Sequence, residues 1–382
     1  MKIIITTPLY PPEIETLSFY VKNVATKLCK EHEITIVAYA STAEKIPGVK
    51  LITISKRQPL LMRFLKYSIA LLKASKNADI IYAQNSVTAG LPSIIVKYIR
   101  KIPIILNFAE NEAWKRAIQL QFTNESPEKF LQNPISNFKI RFIIFLQKWV
   151  LNHASQITVS STALANLISS AYHVPSKLIK VNYNVSETKQ ILPFETNVIP
   201  YQIITIGRLV KWAHIDKIIH TINSLKQKFP NIRLLIAGEG PQENELKQII
   251  FDLNLSKYVV FLGRISKAEN WYLLKASHIY IHLYDSVYED FPNTIISSFL
   301  AKTPIIVNNI TKINEIISNE ENGLVVNLKN EKELSEKITL LFNDNNLKNK
   351  IINNADKILN EKFSWESHIK ILNDIFKNNY GK

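Results

Sequence analysis

The 382-residue chain predicts an α/β fold of two doubly wound domains facing each other across a cleft. Three observations carry that reading. Short β-branched runs alternate with longer amphipathic segments along both halves, the pattern of parallel strands joined by helical crossovers. Both periodicities lapse near residues 184–200, where two prolines sit among few periodic apolar positions, and a linker is placed there. Of only eight glycines, several fall directly at the ends of apolar runs, all of these in the second half.

In the first half, Lys2–Thr7, Glu33–Ala38, Val49–Ile54, Asp79–Ala83, Ile102–Asn107 and Ser155–Ser160 read as strands, with Thr16–Lys30 and Ser161–Ser170 among the helices between them. In the second half the strands are Ile203–Ile206, Arg233–Ala237, Val259–Leu262, Ile279–Leu283, Pro304–Val307 and Gly323–Val326. Helical spacing follows at Ile215–Lys228, Gln242–Leu253, Lys267–Ala276, Asn293–Ala301 and Lys332–Phe342. The expected domains are 1–190 and 191–364, with a last segment, 365–382, whose helix near Trp365–Lys377 is expected to pack back on the first domain.

Cys29 is the single cysteine, which rules out an internal disulfide and a cysteine-based metal site and fits a reducing compartment. No stretch offers about 20 uninterrupted apolar residues, and the N-terminus runs straight into a strand without a signal-like pattern. The expected location is cytoplasmic. The net charge of +15 is uneven: residues 1–200 hold 24 Lys and Arg against 12 Asp and Glu. That imbalance points the first half at an anionic partner. Nucleic acid is not expected, because no recognised binding module accompanies the charge.

Gly207, Gly238 with Gly240, and Gly263 each end an apolar strand of the second domain. In an open parallel sheet the carboxyl ends of strands form the ligand crevice, and glycine there lets backbone amides approach a phosphate or base. Glycines serving only the turns would look the same one at a time; three in register favour a crevice. Arg208 and Lys211 follow directly, a cationic pair suited to a diphosphate whose charge grows as a sugar bond breaks. The run Tyr284–Thr294 precedes a helix whose free amides suit hydroxyl or phosphate oxygens, and it holds Glu289, an acceptor for sugar hydroxyls. Asp290 and Asn293 fit equally well as caps of that helix. There is no G-x-G-x-x-G or G-x-x-x-x-G-K-[ST] fingerprint and no D-x-D.

Taken in order, Tyr10-Pro11-Pro12, Gly207-Arg208-Leu209-Val210-Lys211-Trp212, Ala237-Gly238-Glu239-Gly240-Pro241, Val260-Phe261-Leu262-Gly263-Arg264, Glu289-Asp290-Phe291-Pro292-Asn293, Asn322-Gly323-Leu324-Val325-Val326 and Phe363-Ser364-Trp365-Glu366 resemble the retaining family-4 (group 1) glycosyltransferases of the GT-B fold. The resemblance implies two Rossmann-like domains, the first binding the acceptor and the second a nucleotide-sugar. It implies catalytic roles for Arg208, on the donor diphosphate, and Glu289, on the transferred sugar. Donor-binding positions would be Gly207, Lys211, Gly238, Arg264, Ile265, Asp290, Phe291, Pro292, Asn293 and Ser297, and acceptor-side positions Glu15, Thr16 and Glu110. It further implies no cofactor and no metal, the nucleotide-sugar being a substrate.

Four positions depart from the family pattern. Ala213 stands for a lysine, Ser297 for the second glutamate of the paired motif, Glu15-Thr16 for a glycine pair, and Ala109, beside Glu110, for a histidine. These departures support an alternative in which the chain is a catalytically degenerate protein of this fold that binds nucleotide-sugar or partners an active transferase. A sugar-nucleotide epimerase is disfavoured by the same loss of acid–base groups.

Two segments of the first half combine basic and apolar side chains. Gln58–Lys73 brings Arg63, Lys66 and Lys73 near one helical face flanked by Leu60, Leu61, Phe64, Leu65 and Ile69. Phe138–Leu151 carries Lys139, Arg141, Lys148 and Trp149. Such helices suit the surface of an anionic membrane, which implies a glycan or lipid-linked acceptor in envelope polysaccharide or glycoconjugate synthesis. The same patterns also fit helices packed on a sheet with their charges in water.

Overall fold

The computed structural model describes residues 1–13, 16–41, 43–109, 111–123, 125, 127–133, 136–185, 196–284 and 293–381, with only the backbone at 16, 311 and 312. The chain divides into two units, Met1–Tyr183 together with Trp365–Lys382, and Asn184–Ser364.

The first unit is built on β1 (Lys2–Thr7), β2 (Glu33–Tyr39), β3 (Val49–Ile54), β4 (Ile80–Gln84), β5 (Ile104–Phe108), β6 (Gln156–Val159) and β7 (Ile179–Val181), in the order β3-β2-β1-β4-β5-β6-β7. Every pairing is parallel. Ile3 of β1 sits between Ile34 and Ile80. Ile3, Ile4 and Ile5 are all buried, as expected of a central strand covered by helices on both faces. Strand β7 was not expected; three residues with an intermediate burial pattern carry too weak a period to be read from the sequence.

Helix Trp365–Asn379 closes this unit against helix Thr16–Leu28 and β4. Trp365 stacks on Tyr20 at 6.4 Å, and Phe376 meets Tyr82 edge-on at 5.7 Å. His368 Nδ1 lies 3.0 Å from the Tyr183 carbonyl, which only accepts, so Nδ1 carries the proton in the neutral ring and Nε2 accepts from Tyr20 Oη (2.9 Å). Burial pulls the His368 pKa down to about 4, which keeps the ring neutral near pH 7.

The second unit holds β8 (Ile199–Ile206), β9 (Arg233–Ala237), β10 (Val259–Gly263), β11 (Ser277–His282), β12 (Ile305–Asn308) and β13 (Leu324–Val326), in the order β10-β9-β8-β11-β12-β13. Its core gathers apolar residues of β8, β9 and β11 with those of helices Ile215–Leu225 and Glu333–Asn343. Strand β8 begins within the stretch read as linker. Pro200 cannot donate to the ladder, and the pairing with β11 slips there before resuming at Ile279 opposite Ile203. Tyr201 takes a left-handed φ of 61° at the irregularity and donates its N–H to His278 Nδ1. Ile199–Pro200 thus reads as linker in the sequence and as strand in the fold, while 186–195 lie outside the described residues.

Candidate functional site

The three glycine-ended strands β10, β9 and β8 are neighbours in the second sheet, so Gly263, Gly238 and Gly207 meet at one edge. Gly207 donates its N–H to Ala237 O (2.9 Å), Gly238 to Gly263 O (2.8 Å) and Leu209 to Glu239 O (3.0 Å), while Leu209 O accepts from Gln242 N. The loops therefore interlock through their backbones. A Cβ on Gly238, whose φ is +135°, would lie 1.8 Å from the Gly207 carbonyl oxygen. Contact between loops, not room for a ligand, thus requires glycine at 238. Gly263 is different: its φ is +63° and nothing stands within 4 Å of the Cβ position, so here the backbone edge is open.

Tyr284, which follows β11 and received no role in the sequence reading, fixes the loop from the other side. Its hydroxyl donates to the Arg208 carbonyl at 2.9 Å, its ring is buried, and it stacks on His282 at 4.7 Å. The only sequence signal for it is a tyrosine just beyond an apolar strand, where a buried ring needs a partner for its polar tip.

On this fixed frame the backbone of Arg208 is held while its side chain is exposed. Lys211 opens a short 3-10 turn, Lys211–Ala213, and is also exposed. Arg264 and Ile265 follow Gly263; Arg264 is exposed and Ile265 half-buried. Among the described residues none of Arg208, Lys211 and Arg264 pairs with a carboxylate. Asn293 begins helix Asn293–Ala301, after β11 and so beside β8 in strand order. Ser297 turns its hydroxyl back to the Asn293 carbonyl at 3.1 Å, and Ala213 is buried. The expected positions Glu289, Asp290, Phe291 and Pro292 lie outside the described residues. Among the described residues no three His, Cys, Asp or Glu side chains gather as a metal site would require.

The strand ends of the first unit are organised by side chains. Gln84 of β4 accepts from Asn107 of β5 (2.7 Å), and Asn107 accepts from Thr158 of β6 (3.3 Å). Beside them the Glu112 carboxylate accepts from Val87 N (2.7 Å), Ser86 N (3.0 Å), Ser86 Oγ (2.6 Å) and Asn85 Nδ2 (2.7 Å). Of the acceptor-side positions, Glu15 and Glu110 lie outside the described residues, and Thr16 is the first residue of helix Thr16–Leu28. Sequence reasoning passed over Glu112, which opens its helix beside an Asn111 N-cap.

Three helices of this unit, Leu60–Ala74, Gly90–Arg100 and Phe138–His153, pack side by side. The first exposes Leu60 (73 %), Leu61, Leu65 and Ile69, the second Ile95, Tyr98 and Ile99, and the third Phe138 (80 %), Phe142 and Phe145. The three phenylalanines stack in sequence at 6.4 and 6.5 Å. Lys66, Lys73, Lys139, Arg141 and Lys148 are exposed among them, but Arg63 is not part of that charge: it lies half-buried over the Tyr39 ring at 5.2 Å. The stretch 90–100 was not marked from sequence as part of this surface, since its apolar residues read equally well as core. Among the described residues no helix is long and apolar enough to cross a membrane.

Comparison with known proteins agrees across the chain. The family model described as Glycosyltransferase Family 4 matches residues 17–190, and that described as Glycosyl transferases group 1 matches residues 188–358. The capsular polysaccharide biosynthesis glycosyltransferase CapM of Staphylococcus aureus is 23 % identical over 77 % of this chain and 82 % of its own. The alpha-monoglucosyldiacylglycerol synthase of Streptococcus pneumoniae is 21 % identical over 100 % and 88 %. The structure of Anabaena HepE in complex with UDP superposes with a TM-score of 0.70 at 18 % identity, covering 99 % of this chain and 100 % of that one. With both sheets in place and both family models matched in sequence order, the chain belongs to the group 1 (family 4) glycosyltransferases of the GT-B fold.

Proposed function

We propose that the chain transfers a sugar from a nucleotide-sugar donor to a glycan or lipid-linked acceptor at an anionic membrane surface, with retention of anomeric configuration. One observation carries the donor half of this reading. Arg208, exposed and without a carboxylate partner among the described residues, stands on a loop pinned by Tyr284 and by the backbone of β9 and the loop after it. Cations held on a rigid frame favour a group whose negative charge grows during reaction. In the proposed step the bond from the anomeric carbon to the diphosphate oxygen breaks and its electron pair stays on that oxygen, facing Arg208 and Lys211. The acceptor hydroxyl forms the new bond on the same face, and its proton passes to the departing oxygen. No metal is assigned a part, the cations of the chain serving the diphosphate.

UDP is the donor nucleotide to try first, because the HepE structure was obtained with it. The names of CapM and of the diacylglycerol-modifying synthase support an envelope glycan or glycolipid product. The basic, apolar surface of the three helices supports a peripheral site at the cytoplasmic face of a membrane. The reading is tested by thermal stability against UDP-, GDP-, ADP- and dTDP-sugars, since specific binding stabilises by RT ln(1 + [L]/Kd). A shift with one sugar nucleotide larger than with its bare diphosphate is expected.

A second reading, a degenerate binding protein, is favoured by Ser297, whose hydroxyl is spent on its own helix, and by Ala213, buried where a cation is expected. Binding without turnover, with turnover restored by Ser297→Glu together with Ala213→Lys, would establish it instead.

A further inference from the structure

The first unit has a second polar feature, at the edge of its sheet opposite the strand ends described above. A cleft of about 730 Å³ lies at the starts of β5 and β6, within the size range of small-ligand sites. Lysines reach it from separate elements: Lys97 from the last turn of helix Gly90–Arg100, Lys101 just beyond that helix, and Lys177 from the turn before β7. No carboxylate lines it, and among the described residues none of the three lysines has an ion-pair partner.

The hydrogen bonding leaves donors unspent on two of the lining residues. The half-buried Lys97 gives one N–H to the His153 carbonyl (2.7 Å), which leaves the other two of its ammonium group available. Ser155 Oγ accepts from Ile104 N (3.2 Å), so its own proton is free to donate. Three cations and a hydroxyl donor with no acidic side chain form a site for an anion. Lysines that only faced water would not need to converge from a helix end and a distant turn.

We infer that this cleft binds a phosphate-bearing anion, a phosphate mono- or diester. The source the surroundings favour is a phospholipid headgroup. Tyr98 both lines the cleft and stands exposed beside Ile95 and Ile99, so acyl chains would lie along the apolar helix face while the phosphate enters among the lysines. The lining residues all belong to the first unit, the donor frame to the second.

The test uses the full chain and the double variant Lys101→Gln/Lys177→Gln, which leaves the Lys97 bond intact. Two probes are compared: glycerol phosphate, followed by broadening of its phosphorus resonance, and vesicles of phosphatidylglycerol in phosphatidylcholine, followed by flotation. The parent is expected to bind both, and the double variant to lose roughly tenfold or more in vesicle partition. If the variant loses glycerol phosphate binding but floats as the parent does, the cleft serves a soluble phosphate ester. Phe142→Asp separates the apolar face from the cleft: it should reduce flotation and leave glycerol phosphate binding unchanged. A double variant that matches the parent on both probes, or a parent that binds neither, overturns the inference. Binding of UDP-sugar, measured alongside, is expected to be unchanged, so failure here does not bear on the donor reading.

Discussion

The carboxyl edges of the two sheets solve one problem in different ways. In the second unit the edge is made of backbone: glycine-ended strands bond to one another across β8, β9 and β10, and cationic side chains are left projecting without carboxylates among the described residues. In the first unit the edge is made of side chains, Gln84 to Asn107 to Thr158, with the Glu112 carboxylate already supplied with four short donors. The first arrangement leaves its positive charge uncompensated by carboxylates among the described residues. The second uses most of its polarity in contacts within the edge, Gln84 Nε2 being buried without a partner among the described residues, and holds loops in place. A strand order that repeats itself thus differs between the two units in what fills each edge.

The comparison breaks most directly at Gly238. A Cβ there meets the Gly207 carbonyl at 1.8 Å on a backbone with φ of +135°, and neither partner is a flexible side chain. Gly238→Ala is expected to cost roughly 3 kcal/mol or more, or to prevent folding of the second unit. Gly263→Ala, in open space at φ +63°, should cost only about 1–2 kcal/mol, the penalty of a left-handed alanine. Urea denaturation of both variants checks the contrast; equal losses would mean the interlocked backbone is not what the glycines secure.

Arg208→Ala sharpens the other half. Because the side chain is exposed, stability should change little, whereas turnover should fall by about 10²-fold, the typical loss of one donor facing developing charge. Steady-state kinetics and a melting curve together decide it, and unchanged turnover would remove Arg208 from the mechanism. Glu112→Gln is the counterpart in the first unit. An amide in place of the carboxylate sets an NH2 group either against Asn85 Nδ2 at Oε1 or against the Ser86 and Val87 donors at Oε2, and loses charge-assisted bonds of about 1.5–3 kcal/mol each in gross terms. A net loss of about 2 kcal/mol, with UDP-sugar affinity unchanged, is expected from denaturation and binding measured on the same preparation.

Much of this division was legible in the sequence. Gly207, Gly238 and Gly263 announced an edge, because a strand that ends in glycine leaves a local signal, and Arg208 and Lys211 followed within four residues. The reason for the glycines was not legible. Gly238 answers to Gly207, 31 positions earlier, and no local pattern encodes a contact between two loops. Glu112 was passed over for the same reason, its donors coming from residues 85–87 on another strand's end. Helix Asn345–Lys362 was missed although its signal was present: Leu347, Ile351, Ala355 and Leu359 recur every four residues after an Asp344 cap, hidden in an asparagine-rich run. Arg63 shows the opposite error, a helical cation counted with the surface charge that tertiary packing draws over Tyr39.

The smallest expected effect tests the link between frame and charge. Tyr284→Phe keeps the buried ring and its stacking on His282 but removes the hydroxyl that donates to the Arg208 carbonyl. Stability should fall by about 0.5–1.5 kcal/mol, the net worth of one neutral hydrogen bond. If the edge works by holding Arg208 in place, turnover should fall severalfold with little change in KM, because a looser loop weakens contacts to the departing diphosphate more than contacts to the bound donor. Adding the variant to Arg208→Ala should then produce no further loss, since the hydroxyl would have nothing left to position. Equal losses with and without Arg208 would show instead that Tyr284 supports the second unit generally, and that its backbone edge is scaffold for the strands and not a mount for the cation.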